Sequence, residues 1–190
     1  MKQNTATQIL DTAQSMVRNR GYSAFSYADI AKQVGIRKAS IHYHFPSKDD
    51  LVKELVIRYR EVLERKCQGI EQQNITPQEQ LQQFVNLYRD GLQDNQICLC
   101  GMLTADFAVL NSEIRTELQT FFSVTESWLA RLLKRGSEAK AWNLTQSVES
   151  AAKTFVALLQ GSQILARASD NSVETFNAIV DNFLQQNFSN

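Results

Sequence analysis

Residues 26–48, SYADIAKQVGIRKASIHYHFPSK, decide the fold. Ile30, Ala31 and Val34 fall at i, i+1 and i+4, the spacing of one helical face. Gly35 follows at once, and a glycine just past a periodic run is the usual left-handed stop of a helix. After Ile36, Arg37 and Lys38 comes a second short run, Ala39 to Phe45, and Pro46 forbids its continuation. Two short helices joined by a turn of about four residues that contains glycine form a helix-turn-helix, whose second helix enters the major groove of DNA.

Within the second helix, Ile41 and Phe45 stand at i, i+4 and point inward. Arg37, Lys38, Ser40, His42, Tyr43 and His44 remain outside, with a donor or a cation on nearly every exposed face. Such side chains bond phosphate oxygens and base edges, although a solvated face on an ordinary helix is also polar. The run Gly35–Phe45, followed by Ser47-Lys48, is similar to the third helix and the start of the fourth in the DNA-binding domain of tetracycline-repressor (TetR) family regulators. The resemblance extends over residues 8–60. It implies an all-α chain of about nine helices, with an N-terminal three-helix helix-turn-helix domain over 1–46. Residues 47–190 would then form a larger effector-binding and dimerisation domain, entered through a connecting helix over 47–68. The implied function is transcription regulation by a DNA-binding homodimer, a repressor released from its operator by a small-molecule effector. Two copies would place their recognition helices roughly 34–36 Å apart on palindromic double-stranded DNA. On this reading Ser26, Lys38, Tyr43, His44 and Lys48 hold phosphates, and Arg37, Ala39 and Ser40 meet base edges, Ala39 through its methyl group alone. His42 departs from the family, where tyrosine usually stands and tends to touch a phosphate; histidine can donate the same bond.

The charge distribution agrees. The chain of 190 residues has a formal net charge of zero, yet residues 1–48 carry seven basic and two acidic side chains and the remainder carries the compensating negative excess. A positive head on a negative body suits a polyanion-binding module. No run of about 18 apolar residues exists to span a membrane, and the N-terminal MKQNTATQIL lacks the layout of a signal peptide. The three cysteines, Cys67, Cys98 and Cys100, do not make a disulfide scaffold. A cytoplasmic location is expected.

Along the chain, Ile9, Leu10, Ala13, Met16 and Val17 mark a first helix over residues 5–20, capped by Thr5 or Thr7 and stopped at Gly21. Tyr22 and Phe25 should plug a small core with Ile30, Val34, Ile41 and Phe45. Ser47 and Asp50 resemble a capping box for a long helix to about residue 68, either a lever between head and body or a plain connector. Gln68–Thr76 reads as a loop, Thr76-Pro77-x-Glu79 as a helix start, and Asp90–Gln96 as a polar break. Residues 97–110 suggest a short buried helix. A long helix from Asn111-Ser112 should run to about Arg135 and stop at Gly136, before a loop over Ser137–Asn143 whose Trp142 either closes over a site or only packs.

Two final helices are expected over 146–168 and 172–186. The first is rich in small residues, and the second repeats Val173, Phe176, Val180 and Phe183 in steps of three and four, near a coiled-coil seam. Intramolecular packing would give the same pattern as self-association; the family resemblance implies that the last two helices of each subunit make a four-helix dimer interface.

The chain carries no phosphate loop, G-x-S-x-G, H-E-x-x-H or C-x-x-C, so no enzyme, cofactor or metal site is expected. His42 and His44, two residues apart, point away from each other on a helix and cannot share a metal ion. An effector pocket among apolar and aromatic groups would draw on Met102, Leu103, Asp106, Phe107, Phe121, Phe122, Thr125, Trp128 and Phe155, with Asp106 as the charged anchor; each also suits an ordinary core. Cys98 and Cys100 offer a second reading, a thiol sensor of electrophiles or oxidants, set against cysteine's habit of packing as a small hydrophobe.

Overall fold

The structure, a computed structural model, describes residues 4–188. The outer ends of the two expected domains, 1–3 and 189–190, lie outside the described residues. Among the described residues the chain is all-helical. Its elements are α1 (Thr5–Arg20), α2 (Tyr27–Val34), α3 (Lys38–His44), α4 (Lys48–Glu71), α5 (Pro77–Arg89), α6 (Leu99–Ala105), α7 (Ser112–Glu138), α8 (Val148–Arg167) and α9 (Ser172–Phe188), with short 3-10 turns at Asp90–Asp94 and Phe107–Val109. By packing the chain forms two compact units. One comprises the chain to Glu61 with Leu99–Phe121; the other comprises Val62–Cys98 and the chain from Phe122. The division falls within α4 and within α7.

Local chemistry explains most helix ends. Ser26 caps α2 and Thr76 caps α5, each in a reciprocal box with the acid three residues on, Asp29 and Glu79. Ser47 and Asp50 exchange the same bonds before α4. Pro77 occupies the first turn of α5, where its missing N–H costs nothing. Gly35 sits at φ 77°, ψ 34° and ends α2 as expected. The first helix differs: its cap is Asn4, whose side chain accepts the amide of Ala6, rather than Thr5 or Thr7.

Other differences arise from contacts distant in sequence. The expected loop from Gln68 is helical to Glu71, where the guanidinium of Arg135 pairs with Glu71 at 3.1 Å. Part of the polar break after α5 is a 3-10 turn that buries Leu92. The apolar 97–110 stretch is buried only in part, since Phe107 and Val109 face solvent. Gly136 does not stop α7, which continues to Glu138. A methyl at Gly136 would lie 1.9 Å from the Trp142 ring, so the glycine makes room for an indole. Trp142 packs: it is buried and donates its indole N–H to the carbonyl of Leu133 at 2.9 Å.

In the first unit, Ile9, Ala13, Met16 and Val17 of α1 are buried, as are Phe25, Ile30, Ile41 and Phe45 and, on α4, Leu51, Val52, Leu55 and Val56. Tyr22 and Val34 are only half-buried. In the second unit α8 and α9 pack on one another. Phe183 stacks on Phe155 with ring centroids 5.6 Å apart, and Phe176 and Val180 are fully buried. The apolar repeat of α9 is therefore largely spent inside the subunit. Buried Gln163 pins this core, donating to the carbonyl of Tyr88 at 2.7 Å and accepting the amide of Cys98 at 2.9 Å.

Candidate nucleic-acid interface

The turn between α2 and α3 is tight: the amides of Gly35 and Ile36 both donate to the carbonyl of Ala31, at 3.0 and 3.1 Å. Ile41 and Phe45 anchor α3 in the core. The Tyr27 hydroxyl donates towards the carbonyls of Phe45, at 2.9 Å, and Ser47, which fixes the exit of α3. Burial, with Asp50 and Asp49 nearby, raises the Tyr27 pKa well above that of an ordinary phenol, so it stays a donor.

What α3 turns outward is almost wholly donor. Arg37, Lys38, Ala39, His42 and Tyr43 are exposed, and Ser40 and His44 are half-buried. Tyr43 is 85% exposed and stands edge-to-face with the His44 ring, centroids 5.1 Å apart. No carboxylate occurs between Asp29 and Asp49. His42 packs edge-on to Tyr27 and places Nδ1 3.1 Å from the carbonyl oxygen of Pro46. A carbonyl can only accept, so Nδ1 carries the proton. Neutral His42 then presents a lone pair at Nε2 and offers a phosphate a proton only as imidazolium.

Two residues expected at phosphates are engaged within the protein. Ser26 gives its hydroxyl proton to Asp29 and accepts the Asp29 amide. The Lys48 ammonium donates to the carbonyls of Tyr22, at 2.7 Å, and Phe25, at 2.6 Å, and lies over both aromatic rings. Burial lowers its pKa against the pull of Asp106 and Asp49. Lys48 is thus half-buried and turned towards the loop between α1 and α2.

The sequence profile of "Bacterial regulatory proteins, tetR family" matches residues 9–55, which hold most of α1, all of α2 and α3 and the first turns of α4. A solved transcriptional regulator of the TetR family from Agrobacterium tumefaciens is 34% identical, superposes with a TM-score of 0.90 and is covered over 97% of both chains. The chain belongs to the TetR family. A curated relative, the HTH-type transcriptional repressor DhaR of Mycobacterium sp. (strain GP1), is 26% identical over 156 residues, 80% of this chain and 77% of the relative. The nucleoid occlusion factor SlmA of Marinomonas sp. (strain MWYL1) is 25% identical over 161 residues, 84% of this chain and 81% of the relative. TetR-family regulators bind DNA and dimerise, and this chain is a transcription regulator of that kind with a helix-turn-helix head. Among the described residues, no helix is long and apolar enough to cross a membrane, and no three His, Cys, Asp or Glu side chains gather as a metal site.

The nine residues expected to receive an effector in this TetR-family body do not share one unit. Met102, Leu103, Asp106, Phe107 and Phe121 belong to the first, and Phe122, Thr125, Trp128 and Phe155 to the second. Leu103 and Phe121 are core, and Phe107 lies at the surface under the guanidinium of Arg115. Asp106 is no free anchor: it accepts the Tyr22 amide and the Ser23 hydroxyl. In the second unit Thr125, Trp128 and Phe155 are buried, and Trp128 packs against Phe84 with centroids 4.9 Å apart. A groove of about 520 Å³ between α7 and the start of α8 is lined instead by Glu126, Arg131, Lys134, Glu149 and Lys153 among others. In sequence those charges are indistinguishable from a solvated face. Cys98 and Cys100 are reduced and buried, as is Cys67, whose thiol burial pushes up to about 12.

Proposed function

We propose that the chain is a homodimeric repressor that grips a palindromic operator through residues 1–46 and answers to a small-molecule effector taken up by residues 47–190. The observation that carries it is the outward face of α3, which presents cations, hydroxyls and imidazoles without an acid and leaves a tyrosine ring in water. Arg37, Ala39 and Ser40 are assigned to base edges, Lys38, Tyr43 and His44 to phosphates, and His42 to a phosphate in its imidazolium form. Ser26 sits at the rim, and Lys48 supports the loop behind it. The site of action is the cytoplasm, with the DNA.

Dimerisation is supported by α8. Its outward stripe holds exposed Ala157, Ile164 and Leu165 around half-buried Gly161, with Ile164 57% and Leu165 60% exposed. A methyl added at Gly161 would meet nothing within 4 Å. Small and branched apolar groups in that spacing suit a second copy of the same helix. For the effector, the buried indole N–H of Trp128 and hydroxyl of Ser162 have no hydrogen-bond partner among the described residues. An unmade buried hydrogen bond costs about 1–3 kcal/mol, which a polar guest or a water would recover. The effector releases DNA only if it binds the mis-spaced arrangement more tightly. A thiol response through Cys98 and Cys100 would need these buried sulfurs to open first.

Selection from random duplexes by the full-length protein tests the reading. Two half-sites about one helical turn apart are expected. Leu165→Lys should yield monomers in sedimentation and lose the selected operator. A wild-type protein that enriches no sequence would end the proposal.

A further inference from the structure

We infer that Asp106, far outside the helix-turn-helix in sequence, is a positioning residue of the DNA-binding head, its carboxylate clamping the loop between α1 and α2. The inference rests on the DNA-binding reading. The loop, Gly21 to Phe25, sets where α2 begins and so where α3 is held. Its polar groups find partners outside the first three helices. The Tyr22 amide donates to Asp106 Oδ2 at 2.9 Å and the Ser23 hydroxyl to Oδ1 at 2.9 Å, so each carboxylate oxygen takes one donor. Lys48 takes the Tyr22 and Phe25 carbonyls from the other side. The Tyr22 hydroxyl donates to Asp49 at 2.5 Å, and Asn111 donates to the same carboxylate at 3.0 Å.

A second, steric observation points the same way. Gly21 has φ 84°, and a β-carbon there would lie 2.9 Å from Asp106 Oδ2. The loop backbone is thus bare where the carboxylate approaches. The same glycine that ends α1 admits a side chain from 85 positions later. Asp106 and all its partners lie in one unit, to which Leu99–Phe121 belongs by packing. A bidentate anionic acceptor on adjacent donors is short and strong, and it holds direction as well as distance. Removing it frees the loop without touching any group that faces DNA.

The test uses the full-length protein and an operator duplex selected by the wild type. Asp106→Asn keeps the shape but turns one acceptor into a donor; Ser23→Ala removes one donor. Asp106→Asn should lose about tenfold in operator affinity, the equivalent of about 1.4 kcal/mol. The slope of log affinity against log salt should not change, because no phosphate contact is lost. Exchange of the Tyr22 amide should quicken, while unfolding followed at Trp128 and Trp142 stays put. Ser23→Ala should cost about threefold, and less than that once Asp106 is Asn, since two ends of one contact do not add in full. Wild-type affinity in Asp106→Asn, or losses that add in full, would overturn the clamp alone. Should Asp106→Asn fail to fold, a Ser23→Ala protein with wild-type affinity would overturn it equally. A wild type that retains no duplex would overturn the clamp together with the reading beneath it.

Discussion

Within each of the two units of this regulator the helices are held by different chemistry. In the first, polar ties reach across long stretches of sequence: Asp106 to Tyr22 and Ser23, Lys48 to two loop carbonyls, Arg58 to Asp11, and Lys53 to Glu113 at 2.6 Å. In the second, aromatic rings pack in groups, Phe84 on Trp128, Phe155 against Phe183 and Phe188, and Trp142 against Phe188, and the buried Gln163, Gln80 and Trp142 side chains bond main-chain groups between them. Apolar packing depends on volume and is indifferent to direction, whereas a hydrogen bond fixes direction at modest net energy. A small head that must present α3 at one angle uses the second device. The second unit relies more on the first device. Helices α1 to α3 would be marginal alone at this size, and α4 and the Leu99–Phe121 segment pack with them in one unit.

The largest expected effect lies in the body. Phe155→Ala removes a fully buried ring that touches both Phe183 and Phe188, and should cost about 3–5 kcal/mol. Urea unfolding followed at Trp128 and Trp142 measures this, and amide exchange over residues 27–45 should change little. Equal loosening of the head would refute the contrast. Gln163→Leu should follow at about 2 kcal/mol, because the Cys98 amide and the Tyr88 carbonyl each lose a buried hydrogen bond. A Gln163→Leu protein of wild-type stability would mean that water replaces the pin.

The difference between the units also governs what could be read in advance. The helix-turn-helix was legible because its signals are local: Gly35, Pro46 and Ile41-x-x-x-Phe45 lie within a dozen residues. So were the start of α5 at Thr76-Pro77 and the break between α8 and α9. Gly136 misled because a glycine kept small for a tryptophan six residues on looks like one that ends a helix. The α9 repeat was legible as a seam, but whether Phe155 or a second subunit fills it is decided by packing. The exposed pair Ile164 and Leu165 was hidden by the small residues around it. Lys48 and Asp106 carry the same lesson for the site. A charge at a helix start or in an apolar stretch does not announce which distant backbone it will meet.

Lys48 gives the next prediction. A free phosphate contact would flatten the salt slope by about one when removed. An ammonium committed to two carbonyls should not. Lys48→Ala is expected to weaken the head by about 1–2 kcal/mol, at the lower end for a charged donor because the site is partly wet. Operator affinity should fall with the slope intact, while Lys38→Ala, on the outer face of α3, should flatten the slope by about one. A flattened slope in Lys48→Ala would return that residue to the DNA.

The smallest effect is a proton, and it strikes both units alike. The Ser26 hydroxyl and amide hold the Asp29 carboxyl below the ordinary 3.8, and the Thr76 amide and hydroxyl hold that of Glu79 below the ordinary 4.5. A carboxyl whose pKa is lower in the folded chain stabilises it at pH above the unfolded value and loses that contribution as pH falls through the folded one. Acidification from about pH 4.5 downward should therefore uncap α5 and α2, each by a small amount because both acids are exposed. Amide exchange at Asp29 and Glu79 reports the two caps separately. Asp29→Asn and Glu79→Gln should reproduce each loss at neutral pH and leave it insensitive to acid. If the two units hold their helices by the same local means and differ only in long-range ties, the two caps should fail with equal size. A larger loss at Asp29 would show that the head's polar network adds to the cap, and would extend the contrast between the units down to a single helix terminus.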